Sequence, residues 1–156
     1  MSCDAVAFSA MLWLASTAPV PAAGSMAALD RPAAVASEPL FADIVGRARA
    51  LKSQAEAMRG PAAAGDLEAA PGFAAFKASI AELSDLDMKG HVTLAARGTD
   101  GDLKCILKGI SQDLPVKLKT LEAADAPKAR DQALRELAYL LNDNVEVITA
   151  PPTPPA

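Results

Sequence analysis

Residues 91–108 have the sequence HVTLAARGTDGDLKCILK, and this stretch decides the fold class that the sequence predicts. Two runs in which apolar and polar side chains alternate flank the turn-forming residues 98–102, GTDGD. Alternation with a period of two is typical of a strand with one buried face, and Gly and Asp favour tight turns. The sequence therefore predicts an antiparallel hairpin with strands near residues 91–97 and 102–108.

Two registers of this hairpin are possible, with the turn at residues 99–100 or at 100–101, and both assign the side chains to the same faces. The first register sets Arg97 opposite Asp102, a favourable pair of charges, and is preferred. The second has the better turn dipeptide but sets Arg97 opposite Lys104. In either register the apolar face consists of Val92, Leu94, Ala96, Leu103, Cys105 and Leu107.

Upstream of the hairpin, apolar residues recur at spacings of three and four, which indicates amphipathic helices. The first helix follows a potential cap at Ser37 and ends at the stop signal Gly60-Pro61. Its apolar positions are Phe41, Ile44, Ala48, Leu51, Ala55 and Met58. Those of the second are Phe73, Phe76, Ile80 and Leu83. The sequence predicts that both helices pack as an antiparallel helical hairpin, because each has one apolar face to bury.

Downstream of the hairpin, the pattern predicts two more helices and a strand. The third helix is short and begins at Ser111 or Asp113, with Pro115 near its start. The fourth begins near Pro127, ends at residues 142–144, and has an apolar stripe formed by Leu134, Leu137, Ala138 and Leu141. Residues 145–149, VEVIT, form the predicted third strand.

These elements predict an α+β fold with the order α-α-β-β-α-α-β. A small three-stranded antiparallel sheet is covered by two helices, because the apolar face of the hairpin must be buried. The predicted organisation is a signal peptide over residues 1–23, a linker over 24–37, the helical hairpin over 38–86 and the small α+β domain over 87–150. The remaining residues, 151–156 (PPTPPA), form a polyproline-like tail.

The amino terminus resembles a secretory signal. Residues 5–15 are an apolar stretch, too short for the roughly 20 residues that span a bilayer as a helix, and residues 16–24 are mostly small. We therefore expect a periplasmic or secreted protein without stable membrane insertion after cleavage. Asp4 and the lack of Lys or Arg before the apolar stretch are atypical, and a start at Met26 would instead give a cytoplasmic protein.

No catalytic centre, cofactor site or metal site is predicted. The formal net charge of −4 argues against nucleic-acid binding, which needs basic surface. His91 and Cys105 would lie on opposite faces of the hairpin, so they cannot form a nucleophile–base pair. One His and one Cys cannot complete a zinc site. Because Cys3 would leave with the signal, Cys105 has no internal disulfide partner, and only an intermolecular bridge stays possible.

The remaining candidate is a cluster of basic residues, Lys104, Lys108, Lys117 and Lys119, in the second strand and the following helix. It could contact an anionic group or an acidic partner surface, although the sequence favours the simpler explanation of a solubilising exposed face. We expect a small exported, non-enzymatic envelope protein that binds an unknown protein partner through a sheet edge or the helical hairpin. The alternatives are an anion-binding or small-ligand module using these lysines and, with a start at Met26, a cytoplasmic protein.

Overall fold

The structure, a computed structural model, describes residues 35–60, 67–98 and 101–150. These residues form four helices: α1 (Pro39–Ala57), α2 (Phe73–Ala96), α3 (Leu103–Glu122) and α4 (Pro127–Thr149). There is no β-strand in these three ranges. The predicted α+β fold and its three-stranded sheet are therefore wrong, and the described part of the chain is all-helical.

The four helices pack as an antiparallel bundle in which each helix contacts the next and α4 returns to α1. Contacts between helix ends give the directions. Arg97, just after α2, bonds to Glu38, just before α1, and Lys77 near the start of α2 lies 3.2 Å from Glu122 at the end of α3. Only residues 123–126 separate α3 from α4, so these two helices are also antiparallel neighbours.

One continuous hydrophobic core is shared by all four helices. Every helix contributes positions at spacings of three and four, as the geometry of an α-helix requires. In α2 the buried residues are Phe73, Phe76, Ile80, Leu83, Asp87, Gly90 and Leu94. In α4 the same spacing is occupied by Leu134, Leu137, Leu141, Asn144 and Ile148. Each stripe thus runs through polar or small residues without losing its period.

The predicted β-hairpin is the junction between α2 and α3. Residues 91–96 are the last turns of α2, and α3 begins at Leu103. A turn does lie between them: Gly98 has a φ of 69°, which favours glycine, and its N–H bonds to the carbonyl of Ala95 at 3.1 Å. Val92 and Ala96, which a strand would bury together with Leu94, are exposed. The predicted turn residues 99 and 100 lie outside the described residues, and the segments on either side of them are helices rather than strands.

Pro115 lies inside α3 and does not mark its start. Proline lacks the N–H that would bond to the carbonyl four residues earlier, here that of Ser111. The hydroxyl of Ser84 on α2 donates to this carbonyl at 2.7 Å. Because Ser84 of the neighbouring helix donates to the carbonyl that the proline leaves unbonded, α3 continues through Pro115. The predicted start of the third helix at Ser111 or Asp113 is therefore wrong, since α3 begins at Leu103.

The predicted third strand is also wrong. Residues 145–149 are the last turns of α4, and the predicted stop at residues 142–144 lies inside the helix. Asn144 is fully buried and hydrogen-bonded there, so it continues the core stripe.

The stripe predicted for α1 is confirmed at Phe41, Ile44, Ala48, Leu51 and Ala55, which are all buried. Its last member, Met58, lies just after the helix and is only half-buried. Its start differs slightly: Glu38 is the N-cap and Pro39 the first helical residue, one position after the expected cap at Ser37. The predicted signal peptide, the linker up to residue 34 and the tail over 151–156 lie outside the described residues. In the part of the chain that the structure describes, no helix is long and apolar enough to cross a membrane.

Candidate protein-interaction surface

The four lysines of the basic cluster all lie on α3, but the helix divides them. Lys104 and Lys108 are one turn apart, and Lys119 lies on the same side because fifteen residues make about four turns. Lys117 lies on the other side, where its Nζ is 2.8 Å from Oε2 of Glu136 on α4. The structure therefore places Lys104 and Lys108 one turn apart on one side of α3, with Lys119 on the same side but about 16 Å further along the helix, and Lys117 apart from them.

The ion pair of Lys117 has an electrostatic consequence on α4. The hydrogen bond from Lys117, supported by one from Gln132, holds the pKa of Glu136 below its usual range. The carboxylate of Glu136 is therefore firmly ionised, and the charge of Lys117 is compensated within the bundle rather than offered to a ligand.

His91 lies on α2 and Cys105 on the adjacent helix α3. They are therefore not separated by the two faces of a β-hairpin, as the sequence predicted. They still form no nucleophile–base pair. The Nδ1 of His91 lies 2.6 Å from the carbonyl oxygen of Lys104, which makes this nitrogen the donor. Cys105 is disulfide-bonded, which contradicts the expectation that it has no disulfide partner within the chain. The other cysteine, Cys3, lies outside the described residues.

A metal centre is not formed by the described residues either. Within residues 35–60, 67–98 and 101–150, no group of three or more His, Cys, Asp or Glu side chains is placed to hold a metal ion.

The outer side of α4 carries a large and exposed aromatic side chain. Tyr139 is the only tyrosine of the chain, and 69% of it is exposed. Arg135 lies one turn earlier on the same side and is also exposed. Among the described residues, Arg135 makes no direct ion pair, and its positive charge contributes to the lowered pKa values of Asp131 and Glu136. We call Arg135 and Tyr139 the α4 ridge.

Two grooves flank the α4 ridge, and both ridge residues line each of them. The groove between α3 and α4 has a volume of about 320 Å³ and includes the half-buried Leu140 and Asp143. The groove between α1 and α4 has a volume of about 300 Å³ and includes Lys52. The ridge therefore stands between two depressions that could accept side chains of a partner.

Bonds between helices fix the walls of the groove between α1 and α4. Lys52 Nζ donates to Oδ1 of Asn142 at 2.9 Å. Arg59 Nε lies 3.2 Å from Oδ1 of Asp131. The backbone N–H of Gly60, followed by Arg59, holds the pKa of Asp131 below its usual range. Because these contacts tie α1 to α4, the ridge is presented on a pre-formed surface, which lowers the ordering cost of binding.

An exposed tyrosine beside an arginine suits protein recognition. Both residue types are enriched among the side chains that dominate binding energies, because each combines a large contact area with directional hydrogen bonds. This surface was not predicted from the sequence. The signal was present, since Tyr139 falls outside the stripe of Leu134, Leu137 and Leu141, but its flanking grooves exist only once α1 and α3 are packed against α4.

Comparison with protein-family models, with curated proteins and with solved structures found no significant match to this chain.

Proposed function

We propose that the protein is a non-enzymatic binding module whose helical bundle presents the α4 ridge to a protein partner. The observation that carries the proposal is the exposed Tyr139 between two grooves, with Arg135 one turn away. The exported location expected from the amino terminus is part of the same proposal, with a cytoplasmic location as its alternative.

The chemistry of the ridge suggests the chemistry of the partner. An apolar side chain could cover the ring of Tyr139 and enter the groove beside Leu140. A carboxylate could pair with Arg135 in a bidentate arrangement, which the planar guanidinium group favours. The partner that fits is therefore a protein segment that carries an acidic residue next to an apolar one.

The absence of an enzymatic function is likewise a proposal, supported by the state of the two residues best suited to catalysis. The ring of His91 is held by a backbone carbonyl, and the sulfur of Cys105 is in a disulfide. A thiolate is needed for nucleophilic attack, and a disulfide has none.

Site-specific photo-crosslinking tests the partner proposal. A photoreactive phenylalanine analogue replaces Tyr139 in the full chain, expressed in its native cells. The matched control carries the analogue at Val92, an apolar residue of α2 with 58% exposure. We expect a defined adduct with a second protein from position 139 and none from position 92.

The adduct partner is then purified and titrated calorimetrically against wild-type, Tyr139→Ala and Arg135→Ala proteins. Each substitution should weaken binding at least tenfold, because loss of a central side chain costs about 2 kcal/mol or more. Equal adducts from both positions, or an adduct with twice the mass of this chain, would exclude the α4 ridge as a site for a different protein.

Anion binding by Lys104, Lys108 and Lys119 is the alternative, since these three lysines share one side of α3. Inorganic phosphate would then raise the melting temperature of the wild-type protein and have less effect on Lys108→Ala. No shift with phosphate, together with a specific adduct at position 139, would favour the protein-binding proposal.

A further inference from the structure

Asp87 and Asn144 form a polar pair in the middle of the core. Both residues are completely buried, and they come from α2 and α4, which lie diagonally across the bundle. Nδ2 of Asn144 donates to Oδ2 of Asp87 at 2.7 Å. The two remaining oxygens, Oδ1 of Asp87 and Oδ1 of Asn144, have no hydrogen-bond partner among the described residues.

The turn of α2 that follows Asp87 faces apolar side chains. A Cβ atom built at Gly90 would lie 3.1 to 3.5 Å from side-chain atoms of Leu107 of α3 and of Phe41 and Ile44 of α1. No charged side chain of the described residues affects the carboxyl group, since burial and the bond from Asn144 are the two influences on it.

The titratable groups nearest to Asp87 along α2, Asp85 and Lys89, are exposed. On α2, His91 bonds to the carbonyl of Lys104 on α3. On α1, Asp43 and Arg47 pair with each other at the surface. On α4, the neighbours of Asn144 are Asp143, which is partly exposed, and Glu146, which is exposed.

An ionised Asp87 cannot satisfy this site. A carboxylate only accepts hydrogen bonds, and so does the amide oxygen of asparagine, so two acceptors would be buried without a donor. Leaving such groups unpaired is costly, and a buried charge without a counter-charge more so. A neutral carboxylic acid supplies the missing donor, because its O–H can bond to Oδ1 of Asn144 while Oδ2 keeps its bond from Nδ2.

We infer that Asp87 is a neutral acid in the folded protein, joined to Asn144 by two hydrogen bonds, and that release of its proton to solvent loosens the bundle. The pair then acts as a proton-dependent lock between the diagonal helices α2 and α4. In agreement, burial raises the pKa of Asp87 to about 8.

The protonation of Asp87 determines whether the stability of the fold rises or falls with pH. In the unfolded chain the carboxyl of Asp87 releases its proton near pH 3.9, an ordinary value for aspartate. Between that value and about 8, the folded state holds one proton that the unfolded state lacks, so stability is greatest at low pH and falls as the pH rises. From about pH 5 to pH 8, the unfolding equilibrium constant should increase between about 10²- and 10³-fold from this group alone.

Urea denaturation across this pH range tests the inference with two substitutions. Asp87→Asn keeps the shape of the neutral acid, and its amide can form the same two hydrogen bonds with Asn144. We expect it to lose the Asp87 component of the pH dependence and to be more stable than wild type at pH 8. The matched control, Asp85→Asn, makes the same substitution at an exposed position of α2 and should keep the wild-type pH profile.

A direct titration keeps the test independent of whether the variants fold. The ¹³Cγ chemical shift of Asp87 in the folded wild-type protein should change near pH 8. A midpoint in the ordinary aspartate range, or identical pH profiles for wild type and Asp87→Asn, would overturn the inference.

Discussion

Replacing Gly90 by alanine tests how closely α1, α2 and α3 approach one another. A Cβ atom built at Gly90 would lie 3.1 Å from Cδ1 of Leu107 and 3.3 Å from Cε1 of Phe41. It would also lie 3.5 Å from Cδ1 of Ile44. The first two distances are shorter than ordinary van der Waals contact, so two side chains from different helices would have to move to admit one methyl group.

Two effects of opposite sign determine the magnitude. Alanine is favoured over glycine inside a helix by about 1 kcal/mol. Forcing extra volume into a packed core costs about 1–3 kcal/mol, because side chains leave their preferred rotamers. We expect packing to dominate, since Leu107 and Phe41 are themselves fully buried. Gly90→Ala should lower the free energy of unfolding by about 1 kcal/mol.

Gly109→Ala is the matched control, because Gly109 also lies inside a helix but its Cβ would meet nothing within 4 Å. This variant should gain about 0.5–1 kcal/mol from helix propensity alone. Urea denaturation at one pH measures both changes. A gain at Gly90 equal to that at Gly109 would refute the close approach of the three helices.

Three further substitutions or measurements test other parts of the bundle. Ser84→Ala should cost about 1 kcal/mol by leaving the carbonyl of Ser111 without its donor, and less in a Pro115→Ala background, where the backbone N–H returns. Phe41→Ala and Leu137→Ala should each cost about 2–5 kcal/mol in one cooperative urea transition, because both belong to the shared core; separate transitions would contradict that core. The predicted signal peptide requires that the intact-mass spectrum of the exported protein lack residues 1 to about 23, and an intact Met1 would refute it.

Local periodicity alone determined much of the helical structure. The stripe from Phe41 to Ala55 specifies α1, and Phe73, Phe76, Ile80 and Leu83 specify the first half of α2. Proline at the first position of α1 and α4, and glycine at the turn after α2, set boundaries by their own backbone preferences. These signals depend on residues within a few turns of each other, so a single sequence displays them.

What only the tertiary structure decided is how the stripes pass through Asp87, Gly90 and Asn144. A polar or small residue at a core position resembles the end of a helix as long as its partner is unknown. Asn144 made α4 look short, whereas in the bundle it bonds to Asp87 of α2, 57 positions earlier in the chain. Gly90 is explained by side chains from α1 and α3, and Pro115 by the hydroxyl of Ser84. Tyr139 was visible as an aromatic residue off the stripe, but its grooves need three packed helices. In each case the deciding contact joins segments that are distant in sequence, because burial and hydrogen-bond satisfaction are properties of the assembled bundle.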